Sequence, residues 1–254
     1  MILFGETGAG KSSIINLLAE HEVADISSNL QGCTLEAREH SFTFPGPMVL
    51  NIFDTVGLGE PEMGVNTFFG AIKQAHELIE SLHSAGGVDL LVFCVRAGRI
   101  TAALQRNYRL FFDVLCGGKV PLAIVVTNTE QEKVMENWWI NNAATFQSYG
   151  IHSSAHACIT ALPADTVTLA YAHKRVESRK TLRTMLINAL RNTNSPYARD
   201  KRGWLITIVS KLRSLVTKKS GSFKKKDILR RLEKECMLNC SDAEELAHLL
   251  TTRT

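Results

Sequence analysis

Eight residues near the start of the chain, Gly5-Glu6-Thr7-Gly8-Ala9-Gly10-Lys11-Ser12, follow the spacing G-x-x-x-x-G-K-[ST]. Glycines let a backbone wrap around an anion, so that successive N–H groups point inward at phosphate oxygens. In such a loop Lys11 reaches the terminal phosphates, Ser12 offers its hydroxyl to Mg²⁺, and Ser13 closes the set. A helix from about Ser12 to Ala19 would aim its positive end at the same phosphates. Ile2-Leu3-Phe4 reads as a buried strand, and Ile14, Ile15, Leu17 and Leu18 read as one helix face. Strand, glycine loop and helix are the context that separates this motif from a chance glycine run.

Two further groups stand where strand ends could bring them to the same ligand. Asp54-Thr55-Val56-Gly57 follows the apolar run Met48–Phe53. Asp54 can hold Mg²⁺ through water, and the Gly57 amide can sense a third phosphate. Thr34 lies in the polar stretch between the two motifs. Its hydroxyl could join the metal only when triphosphate is bound, which would make a switch, or it is an ordinary loop threonine. Val125-Val126-Thr127-Asn128-Thr129-Glu130 ends another core strand. The Glu130 carboxylate could accept from guanine N1–H and N2–H₂, a donor pair that adenine lacks. A site built around that pair rejects adenine strongly. An ATPase or small-molecule kinase on the same loop is the competing class, but no cluster of lid arginines accompanies it.

The elements that must position these residues are legible as alternating strands and helices. Residues 39–45 and 48–54 flank Pro45-Gly46-Pro47, a turn signal. Strands are expected over 88–95, 120–127 and 155–162, and helices over 67–84, 103–116, 133–148 and 173–192. The runs at 88–95 and 120–127 are almost continuously apolar, as central parallel strands are, and Pro121 sits near a strand start where a missing donor is tolerated. The expected fold class is α/β, with a mostly parallel sheet and one antiparallel edge strand. Sites in such sheets lie at the carboxyl ends of the strands.

With these motifs in order, the chain resembles translation-factor-type GTPases. More narrowly it is similar to the AIG-type, septin-like P-loop G domains, including uncharacterised fungal G domain-containing proteins. The closer likeness rests on Gly5–Ser13, Asp54–Leu58, Gly98-Arg99-Ile100-Thr101, Asn107–Phe111, Met135–Trp139 and His156–Ala161, over residues 1 to about 192. It implies a Ras-like three-layer αβα fold, GTP as substrate, GDP and phosphate as products, and Mg²⁺ as cofactor. The usual base-reading pattern [NT]-K-x-D is replaced: Asn128 stands for the lysine and Glu130 for the aspartate. Leu58 occupies the place of a water-positioning glutamine, which implies slow hydrolysis. Arg99 matches an arginine that faces a partner G domain, implying an arginine finger in trans within a homodimer. The alternative is a surface arginine capping a strand end. Thr160 or Ala161 matches the loop whose backbone N–H meets guanine O6. His156 is expected to be structural, and Trp138 and Trp139 to pack a helix against the sheet.

Composition bounds the rest. The chain has 254 residues, 45% of them hydrophobic, enough for one α/β domain and a small appendage. Six cysteines lack zinc-type spacing, and no apolar run is long enough to span a bilayer; a cytoplasmic location, without a secretory signal, is the expectation. Only four residues precede Gly5, so a preceding segment is expected. Residues 1–194, the G domain, carry 15 Lys and Arg against 18 Asp and Glu, whereas residues 195–254 carry 14 against 7. That basic extension is expected to be helical, with a capping box at Ser241–Glu244. Residues 204–226 could lie on an anionic membrane surface or form a solvated face packed on the domain. No motif for sequence-specific nucleic-acid binding occurs.

Overall fold

A computed structural model describes residues 1–19, 37–43, 49–55, 65–162, 169–191, 225–234 and 240–251, with 201, 203, 205, 206, 209, 210, 236 and 238. Six strands form one sheet: β1 (Ile2–Gly5), β2 (Ala37–Thr43), β3 (Val49–Thr55), β4 (Leu91–Arg96), β5 (Leu122–Thr127) and β6 (Ala155–Cys158). Their order is β2-β3-β1-β4-β5-β6. Only the β2–β3 pairing is antiparallel; β1 runs parallel to both β3 and β4, and β5 to both β4 and β6. The expected class is therefore observed, with β2 as the antiparallel edge.

Side chains on successive strand positions point to opposite faces, and both faces are covered, which is why the central strands read as unbroken apolar runs. Ile2, Phe4, Phe93, Val95, Ile124 and Val126 enter one hydrophobic cluster, and Leu3, Val92, Cys94, Ala123 and Val125 enter the other. The second face is covered by α1 (Lys11–Ala19) and α5 (Leu169–Arg191), through Ile14, Ile15, Leu17, Leu18, Leu182 and Leu186. The first is covered by α2 (Val65–Ser84), α3 (Ala102–Tyr108) and α4 (Asn137–Ser148). These are the three layers.

Several boundaries differ from expectation. The 103–116 helix is α-helical only to Tyr108; Arg109–Leu115 winds as a π-helix, with Cys116 N–H donating to Phe111 O at 3.1 Å. The wider winding leaves the adjacent Leu110 and Phe111 both buried, and Phe111 stacks on Phe4 with centroids 4.5 Å apart. Helix α4 begins at Asn137 rather than 133, because the chain before it is spent on turns such as Glu132 N–H to Thr129 O. Strand β6 stops at Cys158, while α5 starts earlier than expected, at Leu169.

The basic extension supplies α6 (Lys225–Lys234) and α7 (Cys240–Thr251). Helix α7 opens one residue before the Ser241 at which the capping box places its start. Lys201, Leu205 and Val209 are helical; Leu205 and Val209 are buried in the same cluster as Ile228, Leu232, Leu246 and Ala247. Lys201 Nζ pairs with Glu80 Oε2 on α2 at 2.5 Å, and the Arg231 guanidinium lies 4.2 Å from the Phe69 ring centroid. The apolar residues described within 204–210 thus face protein, as the packed alternative expected and a membrane-inserted face does not. Residues 211–224 lie outside the described set. Among the described residues, no helix is long and apolar enough to cross a membrane.

Candidate functional site

The glycine loop leaves the carboxyl end of β1 in the middle of the sheet and turns into α1. Gly5 has φ +151°, and a Cβ there would stand 2.2 Å from the Cys94 carbonyl oxygen on β4. Gly8 and Gly10 have φ of +78° and +89°, a region that side chains disfavour. A Cβ on Gly8 would meet nothing within 4 Å, so the loop surrounds open space at its tip. Lys11 is buried at 7% exposure, and its ammonium donates to Gly5 O at 3.0 Å and Glu6 O at 3.2 Å. The cation is thereby folded over the loop, where phosphate oxygens can exchange for those carbonyls. Ser12 lies in the first turn of α1, and Ala9 is buried beneath the loop.

Asp54 is buried near the end of β3, opposite Leu3 of β1 in register. Ser12 and Asp54 supply a hydroxyl and a carboxylate, all-oxygen donors suited to a hard divalent ion, so the residues present fit Mg²⁺. Among the described residues, no group of three or more His, Cys, Asp and Glu gathers to hold a metal by protein ligands alone. Thr34 and Gly57 lie outside the described residues, as does Leu58.

The third strand end is tied to the loop. Thr127 Oγ1 donates to Ala9 O at 2.9 Å, and a Cβ on Gly10 would approach Thr127 Cγ2 to 3.1 Å. Asn128 follows with φ +66°, the only non-glycine residue among those described in that region, and is exposed. Such strain gathers where a site needs an unusual backbone. Thr129 Oγ1 donates to Ile159 O at 3.0 Å, joining this loop to the one after β6. Glu130 is 8% exposed, and its Oε2 has no hydrogen-bond partner among the described residues. A buried carboxylate oxygen without a donor is costly unless a ligand completes it.

Of the two residues expected to offer a backbone N–H after β6, one is already committed. Thr160 N–H donates to Ser178 Oγ at 2.9 Å, both groups buried, which removes Thr160 from that role and leaves Ala161. Arg99 is exposed after β4, on a loop anchored by Ala97 N–H to Thr127 O at 2.9 Å. Two residues on, Thr101 Oγ1 donates to Glu6 Oε1 at 2.7 Å and accepts from Leu104 N–H at 2.9 Å, capping α3. His156 pairs with Glu136 at 2.7 Å and stacks on Trp139, while Trp138 and Trp139 pack against the core around Phe146. These three are structural, as expected.

Thr101 as a link between loops and Ser178 as the partner of Thr160 escape sequence reasoning. A threonine just before the helix signals an N-cap, but nothing signals its second bond to Glu6. For Ser178 the only clue is a polar residue placed among the apolar positions of α5.

Comparison with known proteins bears on the family and the fold. The family described as 50S ribosome-binding GTPase matches residues 1–128. The chain is 33% identical over 99 residues to the tRNA modification GTPase MnmE of Mycoplasma genitalium, covering 36% of this chain and 22% of that protein. It thus spans about a fifth of that relative's length. Among solved structures, a single-residue variant of Aquifex aeolicus Era bound to GDP.AlF4- superposes with a TM-score of 0.54 at 15% identity, over 84% of this chain and 65% of that one. A structure of the chloroplast translocon components atToc33 and psToc159 gives 0.52 at 16% identity, over 78% and 85%. At these identities the structural likeness concerns the fold alone.

Proposed function

The chain belongs to the 50S ribosome-binding GTPase family, and from that premise we propose that it binds guanine nucleotide and slowly hydrolyses GTP to GDP and phosphate. Lys11 and the amides of Gly5–Ser13 bind and neutralise the phosphates, and α1 adds its positive end. Ser12 and Asp54 hold Mg²⁺, with Thr34 joining them in the triphosphate state. Mg²⁺ supplies charge neutralisation on the phosphate oxygens. The Gly57 amide senses the third phosphate. Glu130 and Ala161 read the base, with Asn128 turning the chain between strand and carboxylate. The observation that carries the guanine reading is the buried Glu130 Oε2, which lacks a donor that guanine possesses.

The narrower likeness to AIG-type, septin-like domains, fungal ones among them, supports a homodimer across the nucleotide face, in which Arg99 enters the partner's site. Exposure of Arg99 agrees with this. In the chloroplast translocon components dimerization is important for GTPase activity, which supports the same reading. A finger of this kind raises turnover by about 10³–10⁵ where it operates. Residues 1–194 form the G domain in this reading and 195–254 a basic extension, of which the described residues Leu205, Val209, Ile228, Leu232, Leu246 and Ala247 are buried in the shared core.

A second reading is kept by Leu58: a GTP-dependent scaffold or switch with negligible turnover. Phosphate release from GTP, measured per molecule against protein concentration, separates the two. The expected result is slow release that rises with concentration and loses that rise in Arg99→Ala. Flat specific activity, unchanged in Arg99→Ala, sinks the finger in trans, and no release at any concentration leaves the scaffold.

A further inference from the structure

One face of α5 exchanges hydrogen bonds with the loop after β5, the loop after β6 and the end of α1. Lys174 Nζ donates to Glu130 O at 2.9 Å and also to Glu132 O. Arg175 Nε donates to Leu162 O at 3.0 Å, and Ser178 Oγ accepts from Thr160 N–H at 2.9 Å. Arg179 Nε donates to Leu17 O at 3.0 Å, and an Arg183 amino group donates to Leu18 O at 3.1 Å, both at the end of the helix that follows the glycine loop. Positions 174, 178 and 175, 179, 183 recur every four residues, so these groups form adjacent rows along the helix.

We propose that Lys174 is a positioning residue for base recognition, holding the backbone on either side of Gln131 so that the Glu130 carboxylate faces the base. The inference rests on the guanine reading of Glu130 given above. Its ground is geometric. Asn128 replaces the lysine that base-reading loops carry, so the loop has no long cationic side chain of its own at that place, and Gln131 and Lys133 are exposed. Two carbonyls converge instead on one half-buried ammonium that arrives from α5. A three-donor group bridging two carbonyls fixes the turn between them, which no single-donor side chain does. The backbone that carries the Glu130 carboxylate, with its buried and unpartnered Oε2, is thereby held in place. Lys174 touches backbone, not ligand, and acts through Glu130.

Binding of GDP and of IDP, which differ only in the guanine 2-amino group, isolates the effect. The loss of one charge-assisted hydrogen bond predicts a preference for GDP of about 10- to 100-fold in the unaltered chain. Lys174→Met is expected to narrow that ratio by about tenfold while IDP affinity, dominated by phosphates, changes little. Lys174→Arg, which keeps several donors, is expected to retain most of the ratio. Lys180→Met, an exposed lysine on the same helix, is the control for charge and is expected to change nothing. Should Lys174→Met fail to fold, Lys174→Gln keeps two donors without the charge and is expected to give an intermediate ratio.

Glu130→Gln separates the positioning role from the base reading. If it abolishes the GDP preference while the Lys174 variants keep it, the positioning role is overturned and the base reading stands. If Glu130→Gln leaves the preference intact, or the unaltered chain shows none, the base reading falls and the Lys174 role with it. Equal weakening of GDP and IDP in Lys174→Met also overturns the proposal, since that is what a general loss of stability does.

Discussion

Gly5 and Gly8 occupy the same loop but are glycine for different reasons, and the difference is measurable. At Gly5 a methyl group would stand 2.2 Å from a backbone carbonyl oxygen of β4, which cannot move without breaking the sheet. At Gly8 there is room, and only the positive φ opposes a side chain. Gly5→Ala is therefore expected to cost about 3 kcal/mol or more, and Gly8→Ala about 1–2 kcal/mol. Urea denaturation of the two variants checks the order; a Gly5→Ala no worse than Gly8→Ala contradicts the close packing of loop on strand. At this scale type and spacing single out Lys11, Ser12, Asp54 and Glu130, and the structure gathers them at the carboxyl ends of β1, β3 and β5; the chemistry of each is the proposal made above. What escaped was the competition for those groups. Thr160 N–H is taken by a hydroxyl 18 residues further along the chain, a contact made only by folding.

The element most exposed to a single change is α3, whose cap is also a tie to the glycine loop. Thr101 Oγ1 accepts from Leu104 N–H and donates to Glu6 Oε1. Thr101→Val preserves shape and removes both bonds, and is expected to lower stability by about 1–2 kcal/mol. Thr101→Ser keeps the hydroxyl and is expected to stay close to the unaltered chain. If serine is as damaging as valine in thermal unfolding, the bonds are not the cause. Element types were readable from periodicity and from the glycine and proline signals between them. Boundaries were not, where tertiary demands override local pattern. Residues 133–136, expected to be helical, instead take part in turns such as Asn137 N–H to Val134 O. Likewise Arg109–Leu115 departs from α-helical winding with Phe111 stacked on Phe4.

At the scale of the whole molecule, the core continues from the sheet into the extension, and several thiols share it. Burial pushes Cys116 and Cys158 up to about 12, with Glu136 adding to the effect at Cys158, and also raises Cys94. Folded-state values above those of the unfolded chain mean stability that is complete below about pH 8.5 and is lost as pH rises towards 12. Each thiol adds a slope of about 1.4 kcal/mol per pH unit within that window. Unfolding free energy is therefore expected to fall between about pH 9 and 11, less steeply in Cys116→Ala; a flat profile contradicts the burial. The extension's composition marked it as different, but not where it packs, since a basic amphipathic segment reads alike on a membrane and on protein. In the proposed function one site binds phosphate through the loop and guanine through Glu130. Calorimetric titration with GDP and with ADP tests it most directly. GDP is expected to bind at least about 100-fold more tightly than ADP, with both lost in Lys11→Met. ADP bound as tightly as GDP would contradict it.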